Sequence, residues 1–143
     1  MLRRMVLLFG GMLLVGVIVL GGVALAEDIK GTFGPDNNLE GTPQHDRIYG
    51  LAGADTLMGK GGNDDCYGGS GADTISCGSG KDHIDGGFGE DDLSGGNGND
   101  TILAADGQED QVDCGAGDND TAYVDEFDVV ADEVACENLF LAQ

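Results

Sequence analysis

Apolar residues recur at every ninth position through the middle of the chain. Residues 41–103 divide without a gap into seven units of nine: GTPQHDRIY, GLAGADTLM, GKGGNDDCY, GGSGADTIS, CGSGKDHID, GGFGEDDLS and GGNGNDTIL. The eighth place of every unit is apolar, and the first and fourth places are glycine in all but one unit each. The residues at the eighth place are Ile48, Leu57, Cys66, Ile75, Ile84, Leu93 and Ile102.

One such unit predicts a very short strand preceded by a turn. Three residues with an apolar one in the middle, such as Thr74-Ile75-Ser76, form a strand that points inward once. The glycine-rich residues before them turn the chain through dihedrals that side chains forbid. Two units close a coil, and stacked coils form two parallel sheets whose apolar eighth places meet in a thin core. The sequence therefore predicts an all-β solenoid with two parallel sheets.

The regular units are flanked by less regular sequence. A looser unit spans residues 31–39, and a second one follows the seven, with Gly107, Asp110 and Val112. Terminal repeats are expected to be atypical because one side has no neighbour. We expect an atypical repeat over residues 27–40, regular repeats over 41–103 and a cap over 104–143. The apolar side chains of this cap would be Phe127, Val129, Val130, Val134, Leu139 and Phe140.

The N-terminal segment has the pattern of a signal peptide. Arg3 and Arg4 precede an apolar run that ends in Ala24-Leu25-Ala26, a small-x-small cleavage pattern. The sequence therefore predicts cleavage after Ala26 and export of residues 27–143. The apolar stretch is also long enough to cross a bilayer, so an uncleaved helix that anchors the protein at the cell surface is the alternative.

Export would place the four cysteines in an oxidising compartment, where disulfides persist. Cys66, Cys77, Cys114 and Cys136 form an even set, which predicts two disulfides in an oxidising compartment. Three pairings are open, of which Cys66–Cys77 with Cys114–Cys136 is the most local. Their spacings include no C-x-x-C, and the chain has 2 histidines, which disfavours a zinc site.

Composition alone is typical of a disordered chain. The 143 residues contain 27 acidic and 6 basic side chains, so the net charge is −21. Beyond Ala26 the 27 acidic side chains face 4 basic ones, a net charge of −23. Such a charge repels phosphates and excludes nucleic acid as a partner. With few apolar residues, such a chain does not bury enough surface to offset its conformational entropy.

The order of the acidic residues changes this interpretation, because the sixth place of all seven units is Asp. Successive units turn on opposite sides of the coil, so these residues alternate between two edges, where neighbouring carboxylates would lie about 4.8 Å apart. Like charges at this distance need a cation between them, and carboxylates with turn carbonyls suit Ca²⁺. One edge, the Asp46 edge, would contain Asp46, Asp64, Asp82 and Asp100. The other, the Asp55 edge, would contain Asp55, Asp73, Asp91 and, after an insertion, Asp110.

These units resemble the nonapeptide G-G-x-G-x-D-x-U-x of RTX (haemolysin-type) calcium-binding repeats. GGSGADTIS, GGFGEDDLS and GGNGNDTIL are similar to it throughout, and the resemblance extends loosely over residues 31–113. It implies a parallel β-roll that holds Ca²⁺ between adjacent turns, about five or six ions in all. Gln44 and Cys77 depart from the glycine places. The implied ligands are Asp46, Asp55, Asp64, Asp73, Asp82, Asp91 and Asp100, with Asp36 and Asp110.

The pattern favours a secreted, non-enzymatic calcium-binding protein that folds when Ca²⁺ binds. The sequence contains neither H-E-x-x-H nor G-x-S-x-G, and it indicates no catalytic residue, organic cofactor or small-molecule substrate. A calcium-stapled adhesion or interaction module at the cell surface is the alternative, and its protein or surface partner would be unknown.

Overall fold

Successive strands of the chain alternate between two parallel sheets that stack into a solenoid. We describe this architecture from a computed structural model, which covers residues 7–9, 12–14, 25–132 and 135–142. Each strand of the solenoid pairs in parallel with the strand two places further along the chain, up to the last two strands. The regular pairs are offset by 18 residues, as in Ile48 with Cys66 and Leu57 with Ile75. Two nine-residue units therefore make one coil, which confirms the predicted all-β parallel β-roll.

The strands form three groups. An antiparallel pair, β1 (Leu7–Phe9) and β2 (Met12–Leu14), precedes the solenoid. The first sheet contains β3 (Asp28–Lys30), β5 (Arg47–Tyr49), β7 (Asp65–Ser70), β9 (His83–Phe88), β11 (Thr101–Leu103), β13 (Thr121–Val124) and β15 (Asn138–Leu141). The second sheet contains β4 (Leu39–Glu40), β6 (Thr56–Met58), β8 (Thr74–Ser79), β10 (Asp92–Asn97), β12 (Gln111–Asp113) and β14 (Val129–Val130).

The predicted signal peptide lies almost entirely outside the described residues. Only β1, β2 and the residues from Leu25 onward belong to them. Cleavage after Ala26 therefore stays a prediction, as does the alternative of a retained anchor. None of the described segments forms a helix with the length and hydropathy that a membrane span needs.

The core is a double ladder of eighth-place side chains. From Ile48 to Ile102 each of these residues is at most 1 % exposed. Val112 and Ala122 continue the two ladders at 1 % and 0 % exposure. Each nine-residue unit contributes one side chain to these ladders. The next inward place, two residues later, is glycine in most units and carries a small side chain at Cys77, Ala104 and Cys114. The core is consequently one residue thick per sheet and extends along the whole stack.

Both predicted disulfides are present in their most local pairing, Cys66–Cys77 and Cys114–Cys136. All four cysteines are at most 2 % exposed. Cys66 occupies a core rung, whereas Cys77 and Cys114 occupy the first place of a unit. Cys66–Cys77 joins the consecutive strands β7 and β8 across the interior, whereas Cys114–Cys136 joins residues 22 apart with β13 and β14 between them. Both bridges constrain the unfolded chain over a short loop.

The cap predicted for residues 104–143 consists of further coils of the same solenoid. β12 to β15 extend both sheets in parallel register. The offset grows to 19 residues between Asp92 and Gln111 and to 20 between Thr101 and Thr121. The turns absorb these inserted residues, so the strands keep their inward and outward faces. Val134, which was expected to add to the cap, lies outside the described residues.

Leu51 has a backbone conformation that its side chain disfavours. It stands at the second place of its unit with φ of 83°, where Gly69 and Gly87 of later units have φ of 110° and 99°. A residue with a Cβ atom in this left-handed region is less stable by about 1–2 kcal/mol. The side chain is 39 % exposed, so it contributes only part of the packing that a core leucine would.

We expect Leu51→Gly to raise the free energy of unfolding by about 1 kcal/mol, because relief of the left-handed strain outweighs the added flexibility of the unfolded chain. Denaturant unfolding in excess calcium measures the change. Leu103→Gly is the matched control, since Leu103 lies in β11 and has no positive φ. The control should lose stability, and a loss in both variants would contradict the strain at Leu51.

Candidate metal centre

All nine aspartates predicted as ligands lie inside the two turn edges. Asp36 is 7 % exposed, and the other eight are at most 2 % exposed. Burial of a carboxylate on this scale is expensive unless it is neutralised or fully bonded. The structure thus places the predicted set together in two rows, one along each edge. In chain order the nine are Asp36, Asp46, Asp55, Asp64, Asp73, Asp82, Asp91, Asp100 and Asp110.

Each row is held by a ladder of backbone-to-carboxylate hydrogen bonds. The backbone N–H of Asp64 donates to Oδ1 of Asp82 at 2.8 Å, and that of Asp82 donates to Oδ1 of Asp100 at 2.8 Å. On the Asp55 edge the N–H of Asp73 donates to Oδ1 of Asp91 at the same distance. Every rung therefore joins one coil to the next and uses one of the two oxygens of each carboxylate.

The other carboxylate oxygen has no partner among the described residues over most of both rows. These Oδ2 atoms are buried and accept no hydrogen bond from any described group. An unsatisfied buried carboxylate oxygen is strongly unfavourable, and its position calls for a cation or another donor. The residues concerned are Asp55, Asp73 and Asp91 on one edge, and Asp64, Asp82, Asp100 and Asp120 on the other.

The first turns differ from this pattern because threonine supplies local donors. Oδ2 of Asp36 accepts the backbone N–H of Thr32 at 2.5 Å. Oδ2 of Asp46 accepts the backbone N–H of Thr42 at 2.5 Å and its hydroxyl at 2.9 Å. Asp46 is bonded through both oxygens, because its Oδ1 also accepts the backbone N–H of Glu27 at 2.7 Å. The second oxygens of Asp36 and Asp46 are therefore less available to a metal than those of the interior coils.

Peptide carbonyls lie on the same side as the unpartnered oxygens. A Cβ atom placed on Gly95 would lie 2.6 Å from both Oδ2 of Asp100 and the carbonyl oxygen of Cys114. On the other edge, a Cβ atom on Gly86 would lie 2.6 Å from Oδ2 of Asp91. The first-place glycine thus leaves open a small space lined by oxygens of two successive coils. Cys77 and Cys114 replace this glycine, and their carbonyls still face the preceding coil.

Carboxylates alone do not complete a coordination shell here. Among the described residues, no three side chains of Asp, Glu, His or Cys converge on one point. Ca²⁺ takes six to eight oxygen ligands and accepts peptide carbonyls readily. A metal between the turns would therefore depend on the carbonyls of the glycine-rich loops as much as on the aspartates.

Burial raises the pKa of the row carboxyl groups from Asp55 to Asp120. The pKa of Asp64, Asp73, Asp82 and Asp100 rises to about 6, and that of Asp110 to about 7. Desolvation is the main cause, and the neighbouring carboxylates of the same row add to it. The backbone hydrogen bond to each carboxylate lowers the pKa but does not offset the burial. Ionised rows are therefore unstable without positive charge.

The structure adds Asp120 to the row of buried aspartates on the Asp46 edge. The sequence interpretation missed this residue. Oδ1 of Asp120 accepts the backbone N–H of Asp100 at 2.7 Å, so it is the next rung of the Asp46 edge. A spacing of 20 residues from Asp100 hides it from a search for nine-residue units. The sequence signal that could have found it is a glycine before the aspartate, Gly117, and an apolar residue two places after it, Ala122. At the C-terminal end of the two rows, the carboxylate of Asp128 accepts the backbone N–H of Asp110, and the carboxylate of Glu137 accepts that of Asp120.

Comparison with known proteins agrees with the repeat geometry. The family model of the RTX calcium-binding nonapeptide repeat, which contains 4 copies of the unit, matches residues 34–66 and again residues 67–102. No curated protein and no solved structure gives a significant match. The matched residues include both rows of buried aspartates from Asp36 to Asp100 and the strands between them. Residues 34–102 thus carry RTX calcium-binding nonapeptide repeats.

Proposed function

We propose that the chain is a secreted calcium-binding protein whose solenoid becomes stable when Ca²⁺ enters between its stacked turns. The observation that carries this proposal is the set of seven buried carboxylate oxygens without a partner. They face glycine-lined spaces beside peptide carbonyls, which is a donor set of hard oxygens. This chemistry fits Ca²⁺ and agrees with the family of the repeats.

The ligands are assigned to the aspartates of the interior coils together with the turn carbonyls. On the Asp46 edge, Asp64, Asp82, Asp100 and Asp120 border three gaps between successive turns. On the Asp55 edge, Asp55, Asp73 and Asp91 border two gaps. Five ions is therefore the expected minimum, and the coils of Asp36, Asp46 and Asp110 are the candidates for weaker sites.

Charge explains why the metal and the fold depend on each other. Residues 27–143 have a net charge of −23, and most nine-residue units give the core a single large side chain. Five bound Ca²⁺ ions would add +10 inside the two rows where the repulsion is greatest. The free energy of calcium binding then contributes directly to folding, because the unfolded chain has no preformed site.

The N-terminal sequence supports the proposed destination. Extracellular calcium modules bind with dissociation constants of roughly 10⁻⁴ to 10⁻³ M, which suits calcium levels outside a cell rather than inside. A chain exported through the predicted signal peptide would leave the cell unfolded and fold afterwards. Its role in this proposal is binding rather than catalysis.

Removal of calcium should unfold the protein. We expect far-ultraviolet circular dichroism to report a disordered chain in EGTA and a β-rich one in several millimolar Ca²⁺, with reversal on chelation. Mg²⁺ at the same concentration is the control, because it holds its waters and demands octahedral geometry. Identical spectra with and without calcium would contradict the proposal.

Neutralisation of one interior aspartate should weaken calcium binding. In Asp82→Asn the amide oxygen can still accept the N–H of Asp64, but the negative charge and the second anionic oxygen are lost. We expect the calcium concentration at half-folding to rise about tenfold or more, since ligand charge sets the affinity of such sites. Isothermal titration calorimetry should also find fewer ions. Asp92→Asn is the matched control, because Asp92 is exposed on β10, and equal effects of the two would count against the assignment.

Acid should partly replace calcium. Burial raises the pKa of Asp64, Asp73, Asp82 and Asp100 to about 6 and that of Asp110 to about 7 in the folded protein, against 3.8 for the ordinary group. A raised pKa in the folded state favours folding below about pH 4, and this contribution disappears as the pH rises through 6 to 7. The metal-free chain should therefore gain β structure as the pH falls from 7 to about 4. A circular dichroism titration in calcium-depleted buffer measures this, and loss of structure over that range would contradict it.

A further inference from the structure

The first disulfide ties together two successive turns of the Asp46 edge. Cys66 is the second residue after Asp64, at which one turn ends, and Cys77 is the first residue of the turn that ends at Asp82. Both cysteines are 0 % exposed. The backbone N–H of Asp64 donates to Oδ1 of Asp82 across the same gap. One covalent bond and one hydrogen bond therefore connect the same two turns.

The second disulfide does the same at the C-terminal end of this edge. Cys114 is the first residue of the turn that ends at Asp120, and Cys136 directly precedes Glu137. Oε2 of Glu137 accepts the backbone N–H of Asp120 at 2.7 Å, so Glu137 ends the next turn of the Asp46 edge. The 4 cysteines of the chain are all used in these two bridges. The turns of the Asp55 edge consequently have no disulfide between them.

Each bridge also fixes a peptide carbonyl that faces the open space beside a carboxylate. A Cβ atom on Gly59 would contact both Oδ2 of Asp64 and the carbonyl oxygen of Cys77. The carbonyl of Cys114 has the same position beside Oδ2 of Asp100. These two Oδ2 atoms are buried and have no partner among the described residues. In the other regular turns of this edge the first residue is a glycine, whose carbonyl has no side-chain anchor.

Repulsion between carboxylates makes these anchors important in the metal-free chain. Neighbouring carboxylates of one row would push the turns apart if no cation lay between them. A disulfide limits this separation, so the carboxylates of Asp64 and Asp82 stay close in the absence of metal. Ligands that are already in place raise the affinity, because binding does not have to order them. On the Asp55 edge, by contrast, binding itself has to bring the turns together.

We propose that the two disulfides position the calcium ligands of the Asp46 edge and make it the edge of higher affinity. Cys77 and Cys114 are positioning residues, since each acts through its own backbone carbonyl and through the turn to which it is bridged. This role rests on the proposed calcium function and adds a difference in affinity between the two rows. It goes beyond the restriction of the unfolded chain that any disulfide provides.

A double-mutant cycle separates this role from general stabilisation. The bridge-free variant, Cys66→Ile with Cys77→Gly, has the residues that most units have at these places. Asp82→Asn removes a carboxylate beside the bridged gap, and Asp73→Asn is the matched control on the Asp55 edge. Far-ultraviolet circular dichroism measures the calcium concentration at half-folding. Asp82→Asn should raise it about tenfold or more in the bridged protein but less than about threefold in the bridge-free one, whereas Asp73→Asn should raise it by the same factor in both.

A transplanted bridge tests the same point with both native disulfides in place. Ile75→Cys with Gly86→Cys puts cysteines at the equivalent places of the Asp55 edge, with the same spacing as Cys66 and Cys77. Mass spectrometry of proteolytic fragments establishes the three pairings. In this protein Asp73→Asn should raise the half-folding concentration by a factor at least about threefold larger than in the unchanged protein.

The outcomes distinguish this role from the calcium function itself. Equal factors for Asp82→Asn in the bridged and bridge-free proteins would overturn the proposal, as would an equal change in the factor for Asp73→Asn. If the bridge-free chain does not fold at any calcium concentration, the transplanted bridge decides, and an unchanged factor for Asp73→Asn there would overturn the proposal. In these cases folding by calcium would still stand, whereas calcium-independent spectra of every protein would contradict the proposed function.

Discussion

The structure depends on one repeated contact, the hydrogen bond from the backbone N–H of an aspartate to the carboxylate of the aspartate one coil later. This bond sets the spacing of the turns and draws the carboxylates out of water. It also orients each carboxylate so that the first oxygen serves the protein and the second faces the glycine-lined space. The same hydrogen bond thus orders the turns and leaves one negatively charged oxygen per aspartate that a metal ion would neutralise.

The hydrophobic core is too small to offset the free-energy cost of the buried carboxylates by itself. Most strands contribute one large inward side chain, from Ile48 to Ile102, and the second inward place is occupied by glycine or by a small residue such as Cys77 or Ala104. A conventional domain of this length has a much larger share of its residues in a common core. Here the conformational entropy of many glycines opposes folding as well. The two disulfides restrict the unfolded chain, but they span short loops and leave both rows of carboxylates unneutralised.

Much of the architecture could be predicted from the nine-residue period, because a repeat of one inward residue per strand leaves few ways to bury it. The two sheets, the 18-residue register and the two edges of aspartates all follow from Asp64, Asp82 and their equivalents. The coils after Leu103 were harder to predict, since insertions in the turns broke the period while the strands kept their pairing. Asp120 was missed for this reason. The pairing of the cysteines could not be derived from spacing alone.

The availability of individual oxygens could not be predicted, because it depends on which donors the folded turns present. Asp46 and Asp82 occupy the same place in the repeat, yet Thr42 satisfies the second oxygen of Asp46 and no described group satisfies that of Asp82. At the other end, Asp128 accepts the N–H of Asp125 at 2.7 Å through its own second oxygen. The terminal rungs are therefore bonded by local donors, while the interior rungs lack them. Since end coils have a neighbour on one side only, local bonding is a way to keep them ordered without a complete metal site. The carboxylate oxygens that need a cation therefore lie in the interior coils, where two neighbouring coils supply oxygens to the same space.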